Sequence, residues 1–433
     1  MMWSRMFAVV PSLVLCLLVS EGRAEMGEES TPYGDRTPYA KLAGRRLEYH
    51  GAKRSLPEPV GMAEVRIGMI GPTRGPRALP GLAMRRGAEL ALAEATAAGG
   101  YLGRPFRLVF YPDDGPWGIV GQQVMRLVYD DSVRVVMGSI GVENSHIAEQ
   151  VITKAHVPLV VPGCTDPSLT KINIPWVFRC MPDDDAQARL LARYLFEAGG
   201  YTRVVGISAN EHYGRTGMRA FEKVARRWHR PLLLSLQYNM RDEGFEPQLD
   251  RIERVRAQAV VIWGEPPEAA LLIRRLRERE MPAEISAGSG LCSSELLGIA
   301  GSHAEGVVTA CIYDPERDDS SAQTFVTRFS EHYGEAPDAY AAYAYDGAQM
   351  VVRAIRRAGL NRARIRDALA ADPTYRGAAG EIRFDGSGSN VSPPMLSVVR
   401  GGRFVRLPEI GDRDPEFSIQ NSASRMQESE DRL

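Results

Sequence analysis

The 433-residue chain has almost no lysine. It stands only at positions 41, 53, 154, 171 and 223, so 48 of the 53 basic residues are arginine, a high-GC signature from which no function follows. Net charge is nearly absent too. The 53 basic and 54 acidic residues leave a formal −1, which supplies no field for capturing nucleic acid or an anionic membrane. Seven histidines are little material for a metal centre, and no zinc or other cofactor set is expected. The motifs G-x-x-x-x-G-K-S/T, G-x-S-x-G, H-E-x-x-H and C-x-x-C are all missing, and the loop Gly71–Gly75 lacks the dinucleotide fingerprint. What is present is globular: 44% hydrophobic and 25% charged residues argue against wholesale disorder, and the length points to two or three domains.

The first 24 residues read as an export signal. Arg5 and the amino terminus form a weakly positive start, and Phe7 to Val19 then runs 13 residues without a charge. That is short of the about 20 apolar residues needed to span a bilayer, and it fits a secretory core. Gly22 and Ala24 set small residues at −3 and −1, which places cleavage after Ala24. Lipid anchoring at Cys16 is disfavoured because Leu15 stands where a small residue is expected. Export leaves Cys164, Cys180, Cys292 and Cys311, too few for a disulfide scaffold and spaced for no zinc site, so buried free thiols are expected although the compartment permits disulfides.

Residues 25–62 are polar, rich in Gly, Pro and Tyr, and read as an extended lead-in. Apolar runs follow at Val65–Ile70, Phe106–Tyr111, Val133–Met137, Val157–Val161, Arg203–Ser208, Leu232–Tyr238, Ala259–Trp263, Ala283–Ala287 and Gly306–Tyr313. Between them lie helical patterns such as Gly81–Ala98, Asp184–Ala198, Gly214–Arg227 and Pro266–Arg279. This alternation predicts an α/β fold of doubly wound parallel sheets. After Tyr313 three helical patterns come in a row (Ser321–Tyr333, Asp338–Ala358, Arg362–Ala370). Strands follow at Glu381–Phe384, Met395–Val399 and Phe404–Leu407, and a polar, aperiodic tail at 409–433 reads as disordered.

Chemistry-bearing constellations are few. His146 and Gln150 share a helix face without a third ligand, and Asp113-Asp114 reads better as a structural pair than as a magnesium site. Ligands of open α/β sheets bind at the carboxyl ends of strands. Six loops qualify: Pro72–Arg77, Ser139–Asn144, Gly163–Asp166, Asn210–Tyr213, Gly264–Pro266 and Gly288–Gly290. Three precede residue 182 and three follow it, which implies a cleft between two lobes. Trp117 and Trp263 read as core residues.

Several of these segments resemble one family in order. EVRIGMIGPTRG, GAELALAEATAAGGYLGRPFRLVFYPDD, VMGSIG, VPLVVPGCTDPSLT, WVFRCMPDD, the Tyr213-Gly214 loop, IAGSHAEGVV and PDAYAAYAYDGAQMV resemble the type I periplasmic solute-binding proteins of the branched-chain amino acid (Leu/Ile/Val) class. The resemblance covers about Glu64 to Leu407. It implies a periplasmic binding protein type I fold whose two lobes share the chain as 63–181 plus 314–373 and 182–313 plus 374–408. The hinge crossings it implies lie near Met181–Asp183, Tyr313–Pro315 and Asp372–Gly377.

Carried over residue by residue, the family's ligand site is altered. The hydroxyl that meets the ligand carboxylate falls on Val142, and the next anchor is Gly163-Cys164-Thr165, where Thr165 keeps a hydroxyl and Cys164 a carbonyl. Tyr213 keeps the second-lobe tyrosine. An aromatic lid position is Glu265, the acid that holds the α-ammonium is Ser289, and a first-lobe tyrosine is Pro80. The family's early disulfide has Pro116 and Gly141 in its place. Arg74 replaces a small residue, and Arg74 or Arg77 can clamp a carboxylate; Glu143 or Glu265 can receive an amine. The expected ligand is a small carboxylate-bearing solute, either an amino acid read differently or a non-amine organic acid. The resemblance implies a periplasmic, non-enzymatic, monomeric component that passes its solute to the membrane permease of an ABC importer. Two alternatives stay open: a ligand-sensing module for a membrane receptor, and an exported hydrolase using Asp113, Asp114 or Glu143.

Overall fold

The computed structural model describes residues 53–242, 244–408 and 410. The export signal at 1–24, the lead-in to residue 52 and the tail apart from Ile410 lie outside them. Short runs of Val, Ile and Leu build β1 (Val65–Gly71), β2 (Phe106–Pro112), β3 (Val136–Met137), β4 (Leu159–Val161) and β5 (Val177–Arg179), a parallel sheet in the order β2-β1-β3-β4-β5. A second parallel set comprises β6 (Val204–Ala209), β7 (Leu234–Tyr238), β8 (Ala259–Trp263), β9 (Glu284–Ala287) and β10 (Val308–Cys311). After the antiparallel ribbon of β11 (Thr374–Gly377) and β12 (Gly380–Arg383), β13 (Met395–Arg400) and β14 (Arg403–Arg406) extend that sheet antiparallel, in the order β14-β13-β10-β9-β8-β6-β7.

The helices of the first half are α1 (Ala78–Ala97), α2 (Trp117–Met125), α3 (Val142–Ala155), α4 (Ser168–Lys171), α5 (Asp184–Ala192) and α6 (His212–Arg227). Those of the second half are α7 (Glu246–Arg254), α8 (Glu268–Glu278), α9 (Ser294–Ala300), α10 (Ser320–Tyr333), α11 (Ala339–Ala358) and α12 (Arg362–Ala371). They cover both faces of each sheet. Met69, Met84, Tyr343 and Val351 fill one side of the first sheet, and Val120, Ile152 and Val161 fill the other. The second sheet is covered likewise, with Leu191, Phe221 and Val261 on one side and Ile262, Leu272 and Ile285 on the other. Burial on both faces is why Ala259–Trp263 is apolar throughout instead of alternating.

Four features depart from the sequence reading. WVFRC holds the short strand β5, whose three residues are too few to show a period. Cys292 and Cys311 form a disulfide, while Cys164 and Cys180 are buried free thiols as expected of all four. Burial pushes the Cys164 thiol up to about 12, so it stays protonated and inert. Trp117 is 80% exposed, not a core residue, because it occupies the solvent-facing first turn of α2; Trp263 is fully buried. Finally, Ala378, Ala379, Ile382 and Phe384 pack into the core of the first sheet, so the third passage between sheets runs between β12 and β13, later than Asp372–Gly377.

Asp346 fastens that ribbon. It is fully buried on α11 and accepts the backbone N–H groups of Ala378 (2.8 Å) and Ala379 (2.7 Å). Burial raises its pKa from 3.8 to about 7, against the pull of those two N–H groups. A carboxyl with a raised folded pKa stabilises most below its unfolded pKa, and the contribution is lost as pH rises. Stability should therefore fall by roughly 1.4 kcal/mol per pH unit between about 4 and 7. Asp346→Asn removes that slope and leaves one N–H unsatisfied, at a cost of about 1–3 kcal/mol below pH 5. Denaturation curves across pH check both effects; an unchanged slope in the variant would refute this role.

Candidate functional site

Both sheets reverse strand order beside their first strand, at β1/β3 and at β6/β8, where doubly wound folds open a crevice. The loops leaving these strands meet across the two lobes. Arg77, the residue before α1, donates from Nε to Glu265 Oε2 (3.2 Å) and from Nη2 to Glu211 Oε2 (3.3 Å). Arg77, Glu211 and Glu265 keep 27%, 23% and 25% side-chain exposure, a half-desolvated setting in which charge pairing counts for more than at the open surface. Burial works against the Arg77 charge, but Glu265 and Glu211 hold its pKa above the ordinary arginine value. Glu211 moves upward through burial and the charge of Glu265, with Arg77 opposing.

A second bridge lies beside the first. His212, at the start of α6, sets Nε2 at 2.7 Å from Asp166 Oδ2 and Nδ1 at 3.7 Å from Glu143 Oε1. Burial alone would raise the Asp166 pKa, but hydrogen bonds from Ser168 and His212 keep it below the usual carboxylate range. Deeper in, the Gly290 N–H donates to Tyr213 Oη (3.0 Å) and the Ser289 N–H to Gln187 Oε1 (2.8 Å). The close approach explains the glycine: a Cβ on Gly290 would lie 2.8 Å from the Gly264 carbonyl oxygen and 3.0 Å from Tyr213 Oη. Thr165 faces the fully buried Asp184, whose N–H it accepts through its carbonyl (2.9 Å).

The residues singled out from sequence divide accordingly. Glu143 and Tyr213 lie in the first turns of α3 and α6, and Thr165, Glu265 and Ser289 follow the strand ends, all beside these bridges. Val142 and Cys164 are buried in the core of the first sheet, 6% and 4% exposed. Arg74 is exposed, and its N–H donates to Asp114 Oδ1 (3.3 Å), so Arg77 is the arginine between the lobes. Asp113 is buried and accepts the Ser139 hydroxyl, while Asp114 ties down the Thr73 loop; both are structural. His146 has both ring nitrogens engaged, by Glu149 (2.6 Å) and Ser168 (3.0 Å). Among the described residues no cluster of His, Cys, Asp and Glu is arranged to hold a metal, and no helix is long and apolar enough to cross a membrane. Glu211, His212 and Asp166 went unremarked in the sequence. Each lies inside a loop chosen there, but only the cross-lobe pairing distinguishes it from any other surface charge.

Comparison with known proteins adds to this geometry. Residues 64–400 match the family described as periplasmic binding protein. A Leu/Ile/Val-binding protein homolog 2 of Brucella abortus (strain 2308) is 28% identical over 342 residues, 78% of this chain and 91% of that protein. The crystal structure of a leucine-binding protein from Thermotoga maritima superposes with a TM-score of 0.72 at 25% identity, covering 80% of this chain and 99% of that one. An ABC transporter substrate-binding protein from Desulfitobacterium hafniense, solved in complex with Leu, gives 0.69 at 25% identity over 79% of this chain and 100% of its own.

Proposed function

The chain belongs to the periplasmic binding protein family, whose members bind solutes and are not enzymes, and from that premise we propose that it is the extracytoplasmic solute-binding component of an ABC importer. The observation that carries the proposal is the meeting of strand-end loops across two lobes, three through Arg77, Glu211 and Glu265 and two more through the pairing of His212 with Asp166 and Glu143. The solute is a small carboxylate-bearing molecule, an amino acid or a related organic acid. Arg77 offers its carboxylate a planar, two-pronged donor, and Glu265 and Glu211 offer an amine two acceptors. A zwitterion inserted between Arg77 and its partners exchanges each half of the existing pair, so no charge is left bare.

Closure follows from the two-lobe design. Contacts with the second lobe add to those with the first only when the lobes approach, so bound solute shifts the population toward the closed form. The closed monomer is then the form a membrane permease reads. The 24-residue export signal supports action outside the cytoplasm.

A thermal-shift screen of amino acids and organic acids tests this. A solute at 100 times its Kd should stabilise the protein by about 2.7 kcal/mol. Arg77→Ala should weaken a carboxylate solute by roughly 1.5–3 kcal/mol, the range of a charged hydrogen bond. Arg74→Ala, on the exposed loop, should stay within about 0.5 kcal/mol. Equal affinity for wild type and Arg77→Ala would remove Arg77 from the site.

A further inference from the structure

We propose that the solute of this cleft carries net positive charge, an amino acid with a second ammonium or guanidinium group being its simplest form, and that Glu211 and Glu265 receive the extra cation. The inference rests on the solute-binding reading above and adds the charge class, which the family membership leaves open.

The charges that meet across the cleft do not balance. Arg77 is shared by two carboxylates, Glu211 and Glu265, and His212 is shared by two more, Asp166 and Glu143. At most two positive charges therefore face four negative ones, and only one does so when His212 is neutral. Three of the four carboxylates sit where water is partly excluded, since the side chains of Glu211, Glu265 and Asp166 keep 23%, 25% and 7% exposure, while Glu143 keeps 58%. Two neighbouring arginines are engaged elsewhere. Arg74 sits beside Asp114, and Arg215 donates to the Asn210 side-chain oxygen (3.1 Å) rather than to a carboxylate. The buried Glu268, held by the Arg241 N–H (2.6 Å), adds further negative charge behind Glu265.

Like charges that share a half-desolvated site repel, and the repulsion strengthens as closure removes water. An anionic solute would enlarge the excess, a zwitterion would leave it unchanged, and a cationic solute reduces it. Electrostatic complementarity of this kind chiefly selects among otherwise similar partners. A second feature points to the same place. Tyr238 is 1% exposed and its Oη has no hydrogen-bond partner among the described residues, although it feels the charges of Glu211, Glu268 and Glu265. That oxygen reaches to where a Cβ of Gly264, next to Glu265, would stand, 2.0 Å away. It is an unpartnered buried hydroxyl directed at the loop that carries Glu265.

The test is calorimetric and thermal-shift titration of the purified chain at low salt with L-lysine, L-ornithine, L-arginine, L-leucine, 4-methylpentanoate and benzoate. At least one cationic amino acid should bind about tenfold or more tightly than L-leucine, with affinity falling as salt rises. Glu211→Gln and Glu265→Gln should each narrow that preference by about tenfold. If L-leucine or an acid binds as tightly as every cationic probe, the charge assignment is overturned while the solute-binding reading stands. Silence from all six probes would overturn both.

Discussion

Arg179→Ala is expected to lower the free energy of unfolding by about 3–5 kcal/mol, the range for breaking a buried ion pair by removing one partner. Arg179 ends β5 with a side chain that is fully buried, where the chain leaves the first lobe. Its guanidinium donates to the Met181 carbonyl, to Asp183 Oδ2 (3.1 Å) and to the Ser389 hydroxyl. Its backbone joins the same neighbours: the Arg179 N–H donates to the Gly388 carbonyl (2.9 Å), and its carbonyl accepts from Asn390 (3.1 Å). One side chain thus holds the first passage between lobes against the last. Asp183 has a second duty, capping α5 by accepting the Ala186 N–H (2.8 Å). Removing Arg179 alone leaves that carboxylate without its cation. The double change Arg179→Met with Asp183→Ser keeps a capping hydroxyl, removes the stranded charge and should recover part of the loss. Urea denaturation of both variants decides the matter, and a single-variant loss under about 1 kcal/mol would reject the assignment.

Loss of the Cys292–Cys311 disulfide should cost about 3 kcal/mol, as expected for closing a short loop; the two cysteines are 19 positions apart. The bond joins the end of β10 to the segment just after Ser289 and Gly290. Its removal therefore frees the loop whose Gly290 N–H meets Tyr213, and solute affinity should weaken along with stability. Cys292→Ser with Cys311→Ser, compared with the oxidised and reduced wild type, separates the bond from the residues. Reduction should reproduce the double variant, since Cys164 and Cys180 are free in both redox states. A reduced wild type as stable as the oxidised one would show that the bond adds nothing. A structural disulfide also fits a protein that folds after export.

The fold was legible because its signals are local and repeated. The apolar runs at Val65–Ile70 and Ala259–Trp263 became β1 and β8 with little change at their ends, and Asp338–Ala358 became α11. The helical pattern at Asp184–Ala198 became α5, capped by Asp183, with a further turn after it. Elements that escaped were short or composed of mixed residues: β5 has three residues, and β11 reads as polar surface because only Gly377 of its four residues is buried.

The site divides along the same line. Sequence alone determined that the chain alternates strands and helices and that polar loops close the strands, because each follows from spacing within about 20 residues. It did not determine which charges in those loops meet. Arg77 and Glu265 are 188 positions apart and His212 and Asp166 are 46 apart, as are equally charged residues that never approach one another. Pairing at such separations depends on how two lobes are set against each other. Only the folded chain decides that Arg77 rather than Arg74 pairs with Glu211 and Glu265, that Arg179 ties the first passage between the sheets to the last while Asp346 fastens the β11–β12 ribbon, and that four carboxylates share Arg77 and His212.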